Sequence, residues 1–456
     1  RLLKFAKESS DYLIVGVNSD KLSANPNLLE EDIRLESIKA TSYVDEVFLL
    51  DEDVIEYIKR RKPDILVKGK EFENIFNPEE EVINSYGGKI LFSSGEMGFS
   101  SLNLLQKDFE ISFSNLSHDN NFIKRHNIKT TKLVEYINKF SNLNILVIGD
   151  TIIDEYITCD AIGMSQEDPT IVVTPISNKK FIGGAAIVAS HAKTLGANVS
   201  YVSVLGDDEN FEFTQNYLIS LGIDTYLLKD STRPTTLKQR FRAQNKTLLR
   251  VNHLKQHNIS KDLEEKILEN FVDDLEDYDL IIFSDFSYGV LTKNIIENIT
   301  LYAKKKSIVM VADSQSSSQI GDISKFKNMD IVTPTEREIR LSINDFESGL
   351  VVLSEKLHKK SKSKYIFTTL GSEGILIYNS TQNELLTDNI QALNTNAKDV
   401  SGAGDSLLTC SSMAKVVGAN IWESAYLGSI AAAIQVSRVG NIPIKKEEIL
   451  HELDFK

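Results

Sequence analysis

The sequence predicts an α/β protein that consists of two blocks, each with a mostly parallel sheet. Short β-rich apolar runs alternate with amphipathic helical stretches along most of the 456 residues. One polar stretch, rich in Asn, Ser, Lys and His, interrupts this alternation between about residues 106 and 142. The length alone favours two or three domains. We therefore expect a first domain over residues 1–106, a linker over residues 107–142 and a larger domain over residues 143–456.

The first block shows the alternation clearly, with β-branched and aromatic runs separated by helical periodicity. Strands are predicted at residues 12–17, 47–50, 65–67 and 89–92, and helices at residues 30–41, 54–61 and 78–86. The linker is predicted to end in a helix, because apolar residues recur with helical spacing from Leu133 to Phe140.

Charge and composition exclude several classes of function. The formal net charge of -14 argues against nucleic acid as a main partner, because binding to a phosphate backbone requires a basic surface. The sequence has neither an apolar stretch suited to crossing a bilayer nor a signal-peptide pattern at its start. Cys159 and Cys410 lack metal-type spacing, so we expect two reduced thiols. These features predict a cytoplasmic enzyme without a membrane partner.

The second block begins with a predicted strand over residues 144–150 and carries polar or glycine residues after several strands. Asp150 and Asp154 follow the first strand, on the side where open α/β sheets bind ligands. Gly183 and Gly184 begin a helix and permit close approach of a backbone. Two later strands are followed by Thr333-Pro-Thr-Glu-Arg-Glu338 and by Thr368-Thr-Leu-Gly-Ser-Glu-Gly374.

The run Gly402-Ala403-Gly404-Asp405, followed at once by an apolar helical stretch, is the most informative segment. The glycines allow a tight turn at a helix start, where free N–H groups and the helix dipole favour a phosphate. A carboxylate beside that phosphate would accept the proton of an attacking hydroxyl. The segment predicts a phosphoryl-transfer site. The alternative is a glycine-rich helix start with an acidic residue near it and no chemistry.

Three cations alternate in a strand-like run, which places Lys238, Arg240 and Arg242 on one face. A phosphorylated sugar would require positive charge there. The alternative is an exposed strand face with solvated cations.

The order of these motifs over residues 144–456 resembles the PfkB family of ribokinase-like sugar kinases. The resemblance implies an α/β domain with a small β-lid, ATP as co-substrate and Mg²⁺, and it assigns Asp405 as catalytic base. The N–H groups of Gly402, Ala403 and Gly404 would form the anion hole, and Glu338 would help to organise magnesium and phosphate. The adenine and ribose would contact Thr369, Gly371 and Gly374, and the sugar hydroxyls would contact Asp150, Asp154, Gly183 and Gly184.

Within that family the likeness is to the heptose 7-phosphate kinase half of bifunctional enzymes that make ADP-heptose for lipopolysaccharide. The stretches that carry it are Ile148-Gly-Asp-Thr-Ile-Ile-Asp154, Ser165-Gln-Glu-Asp-Pro169, Thr194-Leu-Gly-Ala-Asn198 and Ser284-Asp-Phe-Ser-Tyr-Gly289. The likeness adds Asp285 to the substrate-binding residues. Four positions depart from the family pattern: Ile187 and Thr335 replace asparagines, and Tyr288 and Gln315 replace lysines. A hexose phosphate or modified heptose therefore stays open, as do fructose, a nucleoside or an unphosphorylated sugar.

The first block resembles a cytidylyltransferase-type domain that attaches a nucleotide to a sugar 1-phosphate. The resemblance is carried by Val15-Gly-Val-Asn-Ser-Asp20, Glu31-Asp-Ile-Arg34, Pro63-Asp-Ile-Leu-Val-Lys-Gly69 and Phe99-Ser-Ser-Leu-Asn103. It implies a Rossmann-like fold, with nucleotide contacts from Asn18, Asp20, Arg34, Lys68, Ser100 and Ser101. Arg34 has the alternative of a helix-surface cation.

The family's His-x-Gly-His element and first strand are expected just upstream of Arg1, so we expect this block to be incomplete and inactive as given. The alternative role is a non-catalytic binding or dimerisation module. The kinase resemblance also implies a homodimer formed through the β-lid, with lid strands near residues 170–176 and 236–242.

Overall fold

The computed structural model describes residues 2–22, 30–41, 43–69, 72, 76–92, 116–165, 167–243, 246–271, 275–315, 321–381, 386–394 and 396–454. The chain divides into two compact units, Arg1–Ile111 and Ser112–Lys456, called here the small unit and the large unit.

The small unit contains two pairs of parallel strands. β1 (Ile14–Asn18) pairs with β2 (Glu46–Leu50), and β3 (Ile65–Lys68) pairs with β4 (Lys89–Phe92). The helices are α1 (Leu2–Glu8), α2 (Glu31–Lys39), α3 (Val54–Arg61) and α4 (Pro78–Ser85). Strands and helices alternate along the chain, which confirms the α/β character predicted for this block.

Local chemistry explains the position of α3. The side chain of Asp53 accepts a hydrogen bond from the Ile55 N–H at 2.8 Å and so caps the helix start. Tyr57 stacks on Phe48 of β2, with ring centroids 4.6 Å apart, and Ile58 is buried. The helix ends at Lys62, which adopts a left-handed conformation.

A nine-stranded sheet forms the centre of the large unit, in the order β17-β16-β15-β14-β13-β12-β5-β8-β9. The strands from β15 to β9 pair in parallel, and β16 and β17 complete one edge antiparallel. The strands are β5 (Asn144–Gly149), β8 (Asn198–Leu205), β9 (Asp224–Lys229), β12 (Leu280–Asp285), β13 (Val309–Ser314), β14 (Ile331–Val332), β15 (Tyr365–Thr369), β16 (Ile375–Asn379) and β17 (Leu386–Ile390).

Helices cover both faces of this sheet, as the near-continuous apolar sequence of its central strands requires. In β5, Ile145 and Val147 belong to one buried apolar cluster, whereas Leu146 and Ile148 belong to another on the opposite face. The helices are α5 (Asn120–Arg125), α6 (Thr130–Lys139), α7 (Ala185–Thr194), α8 (Glu209–Ser220), α9 (Lys261–Phe271), α10 (Lys293–Lys306), α11 (Glu336–Ile343), α12 (Leu350–Ser361), α13 (Ala403–Val416), α14 (Ile421–Val436) and α15 (Lys446–Asp454). Among the described residues, no helix is both long and apolar enough to cross a membrane.

A second sheet of four strands forms the lid, in the order β11-β10-β6-β7. Its strands are β6 (Thr151–Met164), β7 (Ile171–Gly184), β10 (Thr236–Ala243) and β11 (Lys246–His253). β6 follows β5 almost directly, so the lid continues from the carboxyl end of the central sheet. The two lid strands expected from the sequence fall on β7 and β10, whereas β6 and β11 were not predicted.

The segment expected to be a linker is folded in its described part, residues 116–142. Phe122 of α5 and Leu133 and Ile137 of α6 are buried in the same apolar cluster as the helices on one face of the large sheet. The Arg125 guanidinium also pairs with the Asp388 carboxylate of β17 at 2.9 Å. We call residues 116–142 the connector. Although its composition is polar, one face of the connector is apolar and packs on the rest of the large unit.

Replacing Phe122 with alanine is expected to destabilise the large unit by about 3–5 kcal/mol, because it leaves a cavity in a fully buried position. The single tryptophan, Trp422, lies on α14 with its ring 6.2 Å from that of Phe122 and reports the unfolding of this unit in urea. The control is Phe346→Ala, since Phe346 is 62% exposed. Equal urea midpoints for the two variants would show that the connector does not belong to the core.

Candidate functional site

A cavity of about 500 Å³ lies where the carboxyl ends of β13, β14 and β15 meet the lid and the start of α13. The lid contributes Asp154, Lys238 and Arg240 to its lining, and the run before α13 contributes Val400 to Asp405. Ligands of open α/β sheets bind at this edge, because parallel strands end there and helices begin.

A sharp turn at Gly402 sets the start of α13. Gly402 has φ +78°, and a Cβ atom there would lie 2.5 Å from Asn441 Oδ1, so any other residue would be strained and would displace the Asn441 side chain. A Cβ on Gly404 would meet no atom within 4 Å, which leaves the first turn open to the cavity. The Ala403 N–H donates a long hydrogen bond of 3.4 Å to the Val400 carbonyl. The other amides of the first helical turn have no acceptor within the helix. The N–H groups of Gly404 and Asp405 therefore remain unused by the helix itself, next to the cavity that both residues line.

The Asp405 carboxyl lies in this first turn and is 5% exposed. Burial, with a smaller contribution from the negative charge of Asp154, raises the pKa of Asp405 to about 7, and Lys238 opposes the shift. Its Oδ1 accepts a hydrogen bond from Gln315 Nε2 at 3.3 Å. A carboxyl with this pKa can exchange a proton near neutral pH, which a general base requires.

Asp154 is held from two sides. Its Oδ1 pairs with Arg240 at 3.2 Å, and its Oδ2 accepts a hydrogen bond from Asn441 Nδ2 at 3.3 Å. Burial raises the pKa of Asp154, although Arg240 and Lys238 favour the charged form. The paired glycines, Gly183 and Gly184, make room here: a Cβ on Gly183 would lie 2.8 Å from Asp154 Oδ2.

Two of the three alternating cations line the cavity. Lys238 and Arg240 lie among its lining residues, and Lys238 Nζ lies 5.5 Å from the ring centroids of Phe286 and Tyr288. The Arg242 guanidinium instead lies 5.1 Å from the ring centroid of Tyr156, outside the residues that line the cavity. A register shift between Phe241 and Arg242 in the pairing of β10 with β11 accompanies this difference.

Asp150 and Asp285, both predicted to bind the sugar, do not lie among the residues that line the cavity. The carboxylate of Asp150 accepts backbone hydrogen bonds from Phe286, Tyr288 and Val290 at 2.9, 3.1 and 3.1 Å. Burial, together with the charge of Asp285, raises the pKa of Asp150 to about 6. These bonds fix the turn after β12, so the structure gives Asp150 a structural environment rather than a place in the cavity lining.

The Asp285 carboxylate is also bound by other groups of the protein. Its Oδ2 accepts a hydrogen bond from the Ser314 hydroxyl at 2.7 Å and pairs with Lys325 Nζ at 2.8 Å. Asp285 is 1% exposed and does not lie among the residues lining the cavity. Neither contact could be foreseen from a strand followed by an acidic residue.

Asp313 and Glu338 add two carboxyl groups to the cavity lining. Glu338 closes a capping box with Thr335 at the start of α11, with Thr335 N–H donating to Glu338 Oε2 at 2.8 Å. Asp313 at the end of β13 is buried, and burial with the charges of Glu338 and Asp405 raises its pKa well above the ordinary value. Three carboxylates in one cavity suit a hard divalent cation. Within the described residues, no group of three or more His, Cys, Asp or Glu side chains is arranged to hold a metal ion directly.

The residues predicted for the nucleotide also line the cavity. Thr369 ends β15, and its N–H donates to the Pro334 carbonyl at 2.9 Å. Gly371 has φ +62° with open space where a side chain would lie. Gly374 has φ +94°, and a Cβ there would lie 2.0 Å from the Ile390 carbonyl oxygen, so it permits close approach of β17.

In the small unit, three predicted residues meet at the carboxyl end of β1. Arg34 donates to the Asn18 carbonyl at 2.7 Å and forms an ion pair with Asp20. Lys68 is engaged by Glu79 at 3.0 Å. The predicted Ser100 and Ser101 lie outside the described residues.

No sequence pattern indicated Asn441 or the charge environment of Asp313 as parts of the site. Asn441 lies in the loop after α14, about 36 residues beyond Asp405 along the chain, and belongs to no glycine motif. Only the folded chain places it between Asp154 and Gly402.

Two family models match this chain. The model of the pfkB family carbohydrate kinases matches residues 142–447, and a cytidylyltransferase-like model matches residues 1–91. Among curated proteins, the "Bifunctional protein HldE" of Nitratiruptor sp. is 31% identical over 310 residues, covering 67% of this chain and 64% of the relative. The protein of the same name from Geobacter sulfurreducens is 30% identical over 322 residues, covering 69% and 64%. The chain thus spans less than two thirds of the length of these relatives.

Solved structures show the same fold as the large unit. Arabidopsis thaliana ribokinase complexed with ribose and ATP has a TM-score of 0.55 at 17% identity, covering 69% of this chain and 99% of that chain. Phosphofructokinase-2 from Escherichia coli, in complex with substrates and products, has a TM-score of 0.56 at 15% identity, covering 69% and 98%. The ribokinase-like fold predicted for the second block is therefore confirmed.

Replacing Asp405 with asparagine is expected to stabilise the large unit more at pH 8 than at pH 5. The folded pKa is about 7, against the ordinary 3.8, so the folded chain holds a proton that the unfolded chain has released between these values. Wild-type stability therefore falls as pH rises through this window, by at most about 1.4 kcal/mol per pH unit, and asparagine has no such loss.

Thermal unfolding followed by Trp422 fluorescence measures the effect, with Asp224→Asn as control because Asp224 is exposed at the start of β9. A Tm difference between Asp405→Asn and wild type that does not change with pH would contradict the raised pKa.

Proposed function

The chain belongs to the pfkB carbohydrate kinase family, and we propose that its large unit transfers the γ-phosphoryl group of ATP to a hydroxyl of a phosphorylated sugar. The acceptor we propose is heptose 7-phosphate, phosphorylated at its anomeric hydroxyl. One observation carries the proposal: a buried carboxyl with a pKa near 7, Asp405, lies in the first turn of a helix whose start lines the same cavity as Lys238 and Arg240.

In this mechanism Asp405 accepts the proton of the attacking hydroxyl as its oxygen approaches the γ-phosphorus. The bond from the γ-phosphorus to the bridging oxygen breaks in line, so that ADP leaves with the electron pair. Amide N–H groups of the first turn of α13, with the positive end of the helix dipole, stabilise the charge on the transferring group. The Gln315 amide holds the Asp405 carboxylate at Oδ1 and leaves Oδ2 for the substrate proton.

A magnesium ion bound with ATP would neutralise charge on the β- and γ-phosphates. Asp313 and Glu338 are the residues that would hold it, through water and phosphate oxygens, because their oxygens are the ligands that this ion prefers. Charge supports this assignment, since burial and its acidic neighbours raise the pKa of Asp313 well above its ordinary value. A cation would relieve that repulsion.

The phosphate already present on the sugar is proposed to bind Lys238 and Arg240 of the lid. Both line the cavity, and Arg240 also donates to the Ser401 hydroxyl at 3.0 Å, beside the start of α13. The substitution at Ile187 does not disturb this pocket, because Ile187 is fully buried in the core behind the paired glycines. Tyr288 is also buried, and its N–H holds Asp150.

In the full-length protein, the small unit is proposed to attach a nucleotide to the sugar 1-phosphate that the large unit makes. The proposal is supported by the cytidylyltransferase-like match over residues 1–91 and by the cluster of Asn18, Asp20 and Arg34 at the end of β1. A binding module without catalysis is the alternative. Incubation of the full-length protein with ATP and a sugar 1-phosphate separates the two, because release of pyrophosphate occurs only with a nucleotidyltransferase. Such enzymes act on ATP pools in the cytoplasm, where we propose this protein acts.

The lid is proposed to form a homodimer interface. Large apolar side chains on its strands are exposed, among them Ile162, Met164, Ile171 and Ile176. Met164 pairs with Ile171 across β6 and β7, and neighbouring exposed apolar residues of this size are typical of interaction surfaces. Sedimentation of the chain as a monomer at micromolar concentration would rule this interface out.

Asp405→Asn is expected to reduce turnover with MgATP and heptose 7-phosphate by about 10²–10⁴-fold, because asparagine cannot accept the proton. Coupled ADP release measures the rate, and Asp224→Asn, an exposed substitution, should retain wild-type turnover. Turnover of Asp405→Asn within a few-fold of wild type would sink the assignment of the base.

A further inference from the structure

Asn441 is fixed in the wall of the cavity by its neighbours. It follows Gly440, whose N–H donates to Asp399 at 3.1 Å and whose carbonyl accepts from Gln435 Nε2 at 3.0 Å. Gly440 has φ +83°, and a Cβ there would lie 2.5 Å from the Phe181 ring. The backbone of this loop therefore cannot shift easily, and the Asn441 side chain stays in place.

The two polar atoms of the Asn441 side chain differ in their contacts. Nδ2 donates to Asp154 Oδ2 at 3.3 Å, whereas Oδ1 has no hydrogen-bond partner among the described residues. Asn441 is only 8% exposed and lines the cavity. A buried acceptor without a donor is unfavourable, and native proteins retain such atoms chiefly where a ligand or water completes them.

The surroundings restrict what could complete Asn441 Oδ1. Glycines flank it: a Cβ on Gly402 would lie 2.5 Å from Oδ1, and a Cβ on Gly183 would lie 3.3 Å from Nδ2. The missing side chains let the amide pack closely against both backbones, at a position that lines the cavity. The partner must donate a hydrogen bond and tolerate the carboxylate of Asp154 alongside. An ionised phosphate oxygen has no proton to donate and would be repelled, whereas a hydroxyl satisfies both requirements.

We propose that Asn441 is a specificity residue for the acceptor sugar: its Oδ1 accepts a hydrogen bond from one sugar hydroxyl while Asp154 binds the neighbouring one. This inference rests on the proposed kinase function and names a contact within the same site. A site that presents a buried acceptor discriminates against an analogue that lacks the hydroxyl, because the acceptor is then left unpaired. The pair Asn441 and Asp154 thus selects sugars with two adjacent hydroxyls in the matching configuration.

The experiment compares wild type and Asn441→Ala with heptose 7-phosphate and with a set of its deoxy analogues, each lacking one hydroxyl. For wild type, one analogue should lose about 10–100-fold in kcat/KM relative to the parent sugar, as expected for one lost hydrogen bond and an unpaired acceptor. For Asn441→Ala the parent sugar should fall by a similar factor, and the penalty for that same analogue should disappear. The KM for ATP should stay unchanged.

A matched control is Asn379→Ala, which removes another buried asparagine, on β16 and outside the cavity lining. It should leave the analogue pattern as in wild type. If Asn441→Ala weakens every sugar equally and keeps the penalty for each missing hydroxyl, Asn441 only positions Asp154 and the inference is overturned. If wild type phosphorylates none of these sugars, the proposed function itself fails, and the inference fails with it.

Discussion

The turn at Gly402 is the constraint on which the site depends. A positive φ at this residue reverses the chain directly before α13, and the space that a side chain would need is occupied by Asn441 Oδ1. Because the helix begins there, Asp405 falls in its first turn, where it is buried and close to amide N–H groups. Substitution of Gly402 would displace the loop after α14 as well as the helix start, so the proposed base, anion site and sugar-binding amide all depend on this residue.

Acidic side chains outnumber cationic ones among the residues that line the cavity. Asp154, Asp313 and Asp405 all have raised pKa values, and burial is the first cause in each case. Lys238 and Arg240 offset this on the lid side only. A fold that buries acids in this way loses stability in exchange for a carboxyl that can take up a proton near pH 7. The cation that accompanies ATP would offset this negative charge.

Short-range patterns predicted much of this structure, and long-range contacts account for what they missed. Strand and helix positions follow from periodicity, and the turns at Gly184 and Gly402 follow from the conformational freedom of glycine, so both were predictable. The hydrogen bonds of Asp150 depend on a backbone segment more than 130 residues away, and Asn441 reaches Asp154 from 287 residues away. The packing of the connector depends equally on distant helices. No local pattern encodes such partners, which is why Asp150 and Asp285 were assigned to the sugar and Asn441 was not considered.

The proposed phosphoryl transfer is tested most directly by ³¹P NMR of the full chain with MgATP and heptose 7-phosphate. If the large unit phosphorylates the anomeric hydroxyl, the γ-phosphate signal of ATP disappears as a new phosphomonoester signal, coupled to the anomeric proton of the sugar, grows at the same rate, with the 7-phosphate signal retained. ADP formation with inorganic phosphate as the sole new species, or no reaction at all with this acceptor, would contradict it.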